Sequence, residues 1–196
     1  MTARAHAWLV LVGALALLGS APSVLAQDPP REALLKAAYL NNFGLYSVWP
    51  AKGAPAKEFV IGVLGKDTFD GGLDRMAAVN KEIYGKKIVI ERFGTMKDYK
   101  PCNILFVSSQ PVPANAAETP ADRLAAALKQ LKGEPVLLVS DVDGLMAKGA
   151  MINLFIAKDN TMKYEINAAA MKDAGLHPKA ELLKYGIPYP PKAPGK

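Results

Sequence analysis

Apolar residues recur at Leu35, Tyr39, Phe43 and Tyr46, with Leu34, Ala38 and Leu45 beside them, and this spacing predicts one amphipathic helix from about Arg31 to Ser47. Pro30 pre-sets its start, and Pro50 forbids continuation by pushing Trp49 towards an extended conformation. The pattern then changes to a near-continuous run, Glu-Phe-Val-Ile-Gly-Val-Leu from Glu58 to Leu64, as expected of a strand covered on both faces. After Gly65, Asp67 or Thr68 can cap a helix running to about Val79, with Phe69, Leu73 and Met76 as its inward stripe. Lys87 to Phe93 reads as a second strand and Asn103 to Ser108 as a third. A helix from about Thr119 to Leu131 follows, with Leu124, Leu128 and Leu131 on one face and Gly133 as its stop, and then a fourth strand from Pro135 to Ser140.

Strands alternating with helices argue a parallel sheet. The rhythm breaks at Ala150 to Ala157 and Met162 to Ile166, two strand-like runs separated by Lys158-Asp159-Asn160-Thr161, which read as an antiparallel hairpin. Helices from Ala168 to Asp173 and near Lys179 to Tyr185 complete the pattern, and the Pro-rich tail, 188–196, is expected to be flexible. The expected fold is α/β, a three-layer sandwich with a mostly parallel sheet and an antiparallel C-terminal hairpin at one edge. The pattern leaves strand order open.

The first 26 residues read differently: Arg4 as a basic n-region, an apolar run from Ala7 to Leu18, then Gly19, Ser20, Ala21 and Pro22. That order is a secretory signal, and Val24-Leu25-Ala26 places cleavage after Ala26. A retained anchor is the alternative, but the run falls short of the ~20 residues a bilayer requires. Cleavage leaves one α/β domain, 27–187, followed by the tail, large enough for its own core. It also removes Arg4 and no acidic residue, so the formal charge of +6 falls by one. The lysines are scattered, with neither a basic run nor an aromatic platform, which argues against a nucleic-acid partner. Cys102 is the only cysteine, so no internal disulfide forms; its setting predicts a half-buried thiol.

With the signal removed, His177 is the only histidine, which excludes a multi-imidazole metal site and leaves Ser108, Ser109 and Ser140 one shared base. Ile61-Gly62-Val63-Leu64-Gly65 ends a strand where dinucleotide folds bind pyrophosphate, but Gly-x-Gly-x-x-Gly is absent. Asp141, Asp143 and Asp159 lack calcium-loop spacing, and the methionines fit packing. No cofactor, no metal and no catalytic constellation are expected, so the chain reads as a binder rather than an enzyme. Candidate contact residues are those whose placement looks costly. Asn41 and Asn42 sit mid-helix, with Asn42 read near the inward stripe beside Tyr39 and Phe43. Trp49 presents a large ring at a rigid corner. In the hairpin, Asn153 and Glu165 are expected to share one sheet face with Met151. A second candidate is a small-molecule cleft at the strand ends near Gly65, Ser108 and Asp141.

Several segments carry a family resemblance in order: Lys36-Ala37-Ala38-Tyr39-Leu40-Asn41-Asn42-Phe43 with Trp49-Pro50, Ile61-Gly62-Val63-Leu64-Gly65, and Cys102-Asn103-Ile104-Leu105-Phe106-Val107-Ser108. Leu138-Val139-Ser140-Asp141, Gly149-Ala150-Met151-Ile152-Asn153-Leu154, and Tyr164-Glu165-Ile166-Asn167 followed by Ala174-Gly175-Leu176 continue it. The chain resembles the YfiR-like family of periplasmic repressors of diguanylate cyclases. The resemblance implies a non-catalytic periplasmic protein that binds the periplasmic sensor domain of an inner-membrane cyclase and holds it inactive, lowering cyclic di-GMP and biofilm formation. It also leaves room for an outer-membrane lipoprotein partner and for a homodimer. Cys102 has no mate, unlike family members with internal disulfides, and Ala150 replaces a second glycine after Gly149. The alternative is a periplasmic small-molecule-binding sensor or transport-associated protein.

Overall fold

A computed structural model describes residues 28–51, 55 and 57–191. The expected signal segment, 1–26, and residues 192–196 of the tail lie outside the described residues. In chain order the elements are α1 (Arg31–Leu45), β1 (Ser47–Val48), β2 (Glu58–Leu64), α2 (Gly72–Asn80), β3 (Glu82–Ile83), β4 (Lys86–Phe93), β5 (Ile104–Val107) and α3 (Pro120–Gln130). They continue with β6 (Leu137–Ser140), β7 (Ile152–Ile156), β8 (Met162–Ile166), α4 (Ala168–Asp173), β9 (His177–Pro178), α5 (Ala180–Tyr185) and β10 (Ile187–Pro188). The main sheet has the order β10-β8-β7-β6-β5-β2-β4-β3, and β1 pairs antiparallel with β9 in a small second sheet.

β2, β4, β5, β6 and β7 run parallel, and β7 turns into antiparallel β8, as the hairpin pattern predicts. The innermost strands carry the most apolar sequences because both their faces are covered; every residue of β5 and β6 is buried, as is all of β2 after Glu58. Helices flank the sheet on both sides, making three layers. Phe69, just before α2, stacks edge-on against Phe106 at 4.8 Å, and Phe43 of α1 meets Tyr164 of β8 at 5.0 Å. α1 and α2 therefore cover the face carrying Phe106 and Tyr164. α3 covers the opposite face, where Gly149 lies so close that an added Cβ would meet Leu128 Cδ1 at 2.8 Å. No helix among the described residues is long and apolar enough to cross a membrane.

Three expectations are corrected. The inward stripe of α1 is Ala33, Ala37, Leu40, Asn41, Phe43 and Gly44, while Leu35 and Tyr46 face solvent. Small residues let the helix sit close: a Cβ on Gly44 would stand 2.7 Å from Ile83 Cδ1 and 3.0 Å from the Phe59 ring. α2 begins at Gly72 rather than near Thr68, because Asp67 Oδ1 accepts the Phe69 N–H in a separate turn and Gly71 adopts φ 84°. The C-terminal hairpin is not the outermost layer of its edge. β10 lies outside β8 and parallel to it, and Tyr189 N–H donates to Ile166 O at 2.8 Å. Ile187 to Tyr189 are thus tied to the sheet, where a loose tail from Pro188 onward was expected.

Candidate functional site

Where α1 ends, the Tyr46 N–H donates to Asn42 O and the chain straightens into β1, whose Val48 pairs with His177. Trp49 and Pro50 then form the wall of a recess of about 310 Å³ at the amino ends of β2, β4 and β5. Ala51, Phe59, Tyr84, Lys86 and Asn103 form the rest of it, together with Val48, which is exposed. The Trp49 ring stands edge-on to Phe59 at 5.2 Å and 88°. Tyr84 and Gly85 connect β3 to β4 with φ 54° and 71°, the two-residue turn with both central residues left-handed. That turn directs the Tyr84 hydroxyl to the carbonyls of Leu45 (2.6 Å) and Ser47 (2.8 Å), donating to one at a time.

Two cations frame the recess. Lys86 Nζ donates to Pro55 O at 2.9 Å, and Lys179 Nζ donates to Leu45 O at 2.9 Å while lying 4.9 Å from the Tyr84 ring centre. Asn103 is buried and its Oδ1 accepts the Val60 N–H. Trp49 Nε1 is enclosed and has no partner among the described residues. Val48 and Tyr84 remain 42% and 50% exposed, so the mouth is apolar. Among the described residues no carboxylate lines it. An apolar, aromatic-walled recess with a cationic frame suits insertion of a bulky apolar or aromatic group flanked by acidic ones.

The predicted contact residues do not form one patch. Tyr39 donates its hydroxyl to Met162 O at 2.9 Å, and its ring lies 5.9 Å from both Phe43 and Tyr164, so these three hold α1 to the hairpin. Phe43 is buried. Burial, with a smaller contribution from Tyr39, pushes the Tyr164 hydroxyl up to about 12; it donates to Leu182 O at 2.7 Å. Asn42, expected near the inward stripe, is exposed; Asn41 turns inward instead, with Oδ1 buried and unpartnered among the described residues. Asn153 faces Glu165 across the hairpin in register, so the two share a sheet face as expected. Alternation puts that face opposite to Tyr164 and α1, and Met151, buried, lies on it with Asn153. Asn153 Oδ1 is buried without a partner among the described residues.

Asp141 leaves the expected cleft altogether. It takes Lys36 Nζ at 2.7 Å, and Lys36 also reaches Glu32 at 2.8 Å. Burial opposes the Lys36 charge, but the two carboxylates outweigh it and raise its pKa. The cleft itself is closed. β2 and β5 are neighbours whose connections run to opposite sides of the sheet, the position where such folds bind ligands beyond the strands' carboxyl ends. Here the fully buried Arg123 of α3 fills it, donating to Ser108 O and Glu118 O, each at 2.8 Å. A Cβ at Gly65, φ 100°, would meet Gln110 O at 2.6 Å and Arg123 Nε at 3.1 Å.

Sequence reasoning singled out Trp49 but missed Val48, Tyr84, Lys86 and Lys179. The signal for Tyr84 was Tyr84-Gly85 before a lysine pair, masked by a preceding strand of only two residues. Among the described residues no group of three or more His, Cys, Asp or Glu side chains is placed to hold a metal ion. Burial pushes the Cys102 thiol up to about 12; it is 1% exposed, more enclosed than the half-buried setting expected.

The family model described as YfiR/HmsC-like matches residues 33–186. No curated protein matches. Among solved structures the chain is similar to "conserved domain protein from vibrio cholerae o1 biovar eltor str. n16961", with 13% identity and a TM-score of 0.48. That match covers 80% of this chain and 59% of the other, so the chain spans less than two thirds of that protein's length.

Proposed function

Since the chain belongs to the YfiR/HmsC-like family, we propose that it is a periplasmic regulatory binding protein that represses a membrane-bound diguanylate cyclase. It binds the cyclase's periplasmic sensor domain, and so lowers cyclic di-GMP and biofilm formation. It reaches its partner by export, with cleavage after Ala26. Repression is a population shift: a protein that binds only the inactive conformer biases the cyclase by its difference in affinity for the two states, about 5.5 kcal/mol for a swing from 1:99 to 99:1.

The observation that carries this reading beyond family membership is the recess beside Trp49, with Val48 and Tyr84 exposed at its mouth. A buried aromatic or aliphatic anchor from the partner fits such a place, and the cations Lys86 and Lys179 favour acidic flanks. Glu165, opposite buried Asn153 on the other face, is a second contact for the same partner.

Val48→Asp changes an exposed side chain at the mouth and leaves the core untouched, whereas Trp49→Ala removes the wall and the Phe59 contact as well. In cells carrying the cognate cyclase, Val48→Asp is expected to weaken co-purification at least tenfold and raise cyclic di-GMP, with an unchanged melting temperature. Trp49→Ala and Glu165→Ala are expected to act in the same direction. Unaltered cyclic di-GMP in all three variants, each present at wild-type level in the periplasm, overturns the reading. A small-molecule sensor is the second reading, favoured by the recess volume, which lies at the lower end of the range for ligand pockets. A thermal-shift screen of amino acids and nucleotides that finds a hit abolished by Trp49→Ala supports it.

A further inference from the structure

Nine large apolar side chains stand exposed among the described residues, and three of them, Leu183 (44%), Tyr185 (68%) and Ile187 (42%), fall within five positions of the chain. Apolar residues exposed singly need no explanation, but a group of neighbours does. α5 turns Leu182 into the core, where its carbonyl accepts the Tyr164 hydroxyl, and leaves Leu183 and Tyr185 facing outward. Gly186 then brings the chain hard against β8, since a Cβ there would meet Ile166 Cγ2 and the Tyr164 ring at 2.7 Å each. Ile187 follows on the outermost strand, opposite Glu165. The three side chains therefore stand along one rim of the molecule, where α5 passes into β10.

The charges along this rim are mainly cationic. Lys184 is exposed between Leu183 and Tyr185, with Nζ 5.3 Å from the Tyr185 ring centre. Beyond Pro191 the sequence adds Lys192 and Lys196, and from Leu182 to Lys196 it holds no Asp or Glu. Against these lysines stand Glu181, one turn before Tyr185, the half-buried Glu165 and the terminal carboxylate.

We propose that the rim of Leu183, Lys184, Tyr185 and Ile187, with the lysines of the tail, docks on an anionic phospholipid bilayer. The inference goes beyond the repressor reading and requires no cyclase. Side chains that project outward suit a fluid interface that closes around each of them, whereas a protein anchor enters a formed pocket such as the one beside Trp49. Tyrosine belongs at the headgroup level, with its ring against acyl chains and its hydroxyl in water. The Lys184 stem covers apolar surface while its ammonium reaches lipid phosphates. Each lysine near an anionic surface favours the bound state by about fivefold, and burial of the apolar side chains adds to it. The contact is shallow and reversible, because no helix among the described residues is long and apolar enough to span. Confinement to that surface raises the effective concentration towards any membrane-anchored partner.

The test is flotation of the chain from Gln27 to Lys196 with vesicles of phosphatidylethanolamine and phosphatidylglycerol, set against vesicles of phosphatidylcholine alone. The wild type is expected to float with the anionic vesicles at millimolar lipid and to leave them when salt rises to about 0.5 M, where screening acts within a few ångströms. Lys184→Glu and Tyr185→Ser are each expected to lower partitioning by about fivefold or more with an unchanged melting temperature, and Glu181→Gln to raise it several-fold. Lys129→Glu, the same change of charge on α3 across the sheet, is expected to leave it within about twofold. Cys102 is enclosed, so the thiol of Leu183→Cys takes a polarity-sensitive dye selectively. Its emission is expected to shift to the blue on anionic vesicles, and that of a Lys129→Cys conjugate to stay. Absence of wild-type flotation overturns the proposal and leaves the rim to a protein. Equal loss in Lys129→Glu and Lys184→Glu overturns it as well, by showing diffuse attraction of a basic chain, and so does equal flotation with phosphatidylcholine.

Discussion

Cys102 shows what one side chain's surroundings do to its chemistry. Its thiol lies 3.8 Å from the Tyr99 hydroxyl and close to the backbone of Gly62, whose missing Cβ leaves room for it; an added one would stand 3.3 Å from the sulfur and 2.7 Å from the Phe93 ring. Burial lifts the thiol to about 12 against the partial pull of the Tyr99 and Gly62 hydrogen bonds, and burial likewise raises the Tyr99 hydroxyl. The unfolded chain ionises its thiol near ~8.5. Below that pH both states keep the proton and stability is unaffected. Between there and about 12 the unfolded state binds fewer protons, so stability falls as pH rises. Urea titrations at pH 8 and pH 10.5 are expected to differ by about 2 kcal/mol more in the wild type than in Cys102→Ala; parallel slopes would show that the thiol is not shielded. Residue identity announced the cysteine's setting only coarsely. A run such as Cys-Asn-Ile-Leu-Phe-Val marks a strand, but depth depends on Tyr99 and Gly62, brought near by the fold.

At the scale of the element, local chemistry and long-range chemistry separate cleanly. α3 was legible from Thr119 and the stop at Gly133. The structure explains why: Thr119 Oγ1 accepts the Asp122 N–H at 3.2 Å while Asp122 Oδ2 accepts the Thr119 N–H at 3.0 Å, the reciprocal cap that starts the helix. Thr119→Ala is expected to lower stability by about 1 kcal/mol in chemical denaturation, with no change in sheet content. Arg123, one residue further along, was not legible as a core residue, because only the position of β5 gives its guanidinium the Ser108 carbonyl. The same division holds for α1. Its length followed from periodicity and Pro50, but its inward side was misjudged by weighting large side chains over Ala33, Ala37 and Gly44, which matter because the helix packs close. The two-residue strands β1, β3, β9 and β10 carry too few residues for any alternation to register.

For the molecule as a whole, the layer count, the parallel direction and the C-terminal hairpin were readable, since each reflects which residues must be covered. Strand order was not, because connection length cannot say which side the chain returns on. The candidate contact residues scattered for the same reason: Trp49, Tyr39 and Asn153 each looked costly locally, and only the topology distributes them over two faces and one end. β10 adds a constraint that composition hides behind prolines. Ending the chain after Gly186 removes Ile187, Pro188 and the Tyr189 N–H from β8, and is expected to lower the melting temperature by several degrees and promote association through the bared strand; an unaltered melting curve would mean that β10 contributes nothing to the fold. The guanidinium wedged behind Gly65 has a wider consequence. With the customary ligand mouth of a parallel sheet stoppered from within, the open recess lies at the opposite rim, so grafting the stretches between Pro50 and Glu58 and between Ile83 and Lys86 from a relative is expected to transplant its preferences onto an unaltered chassis.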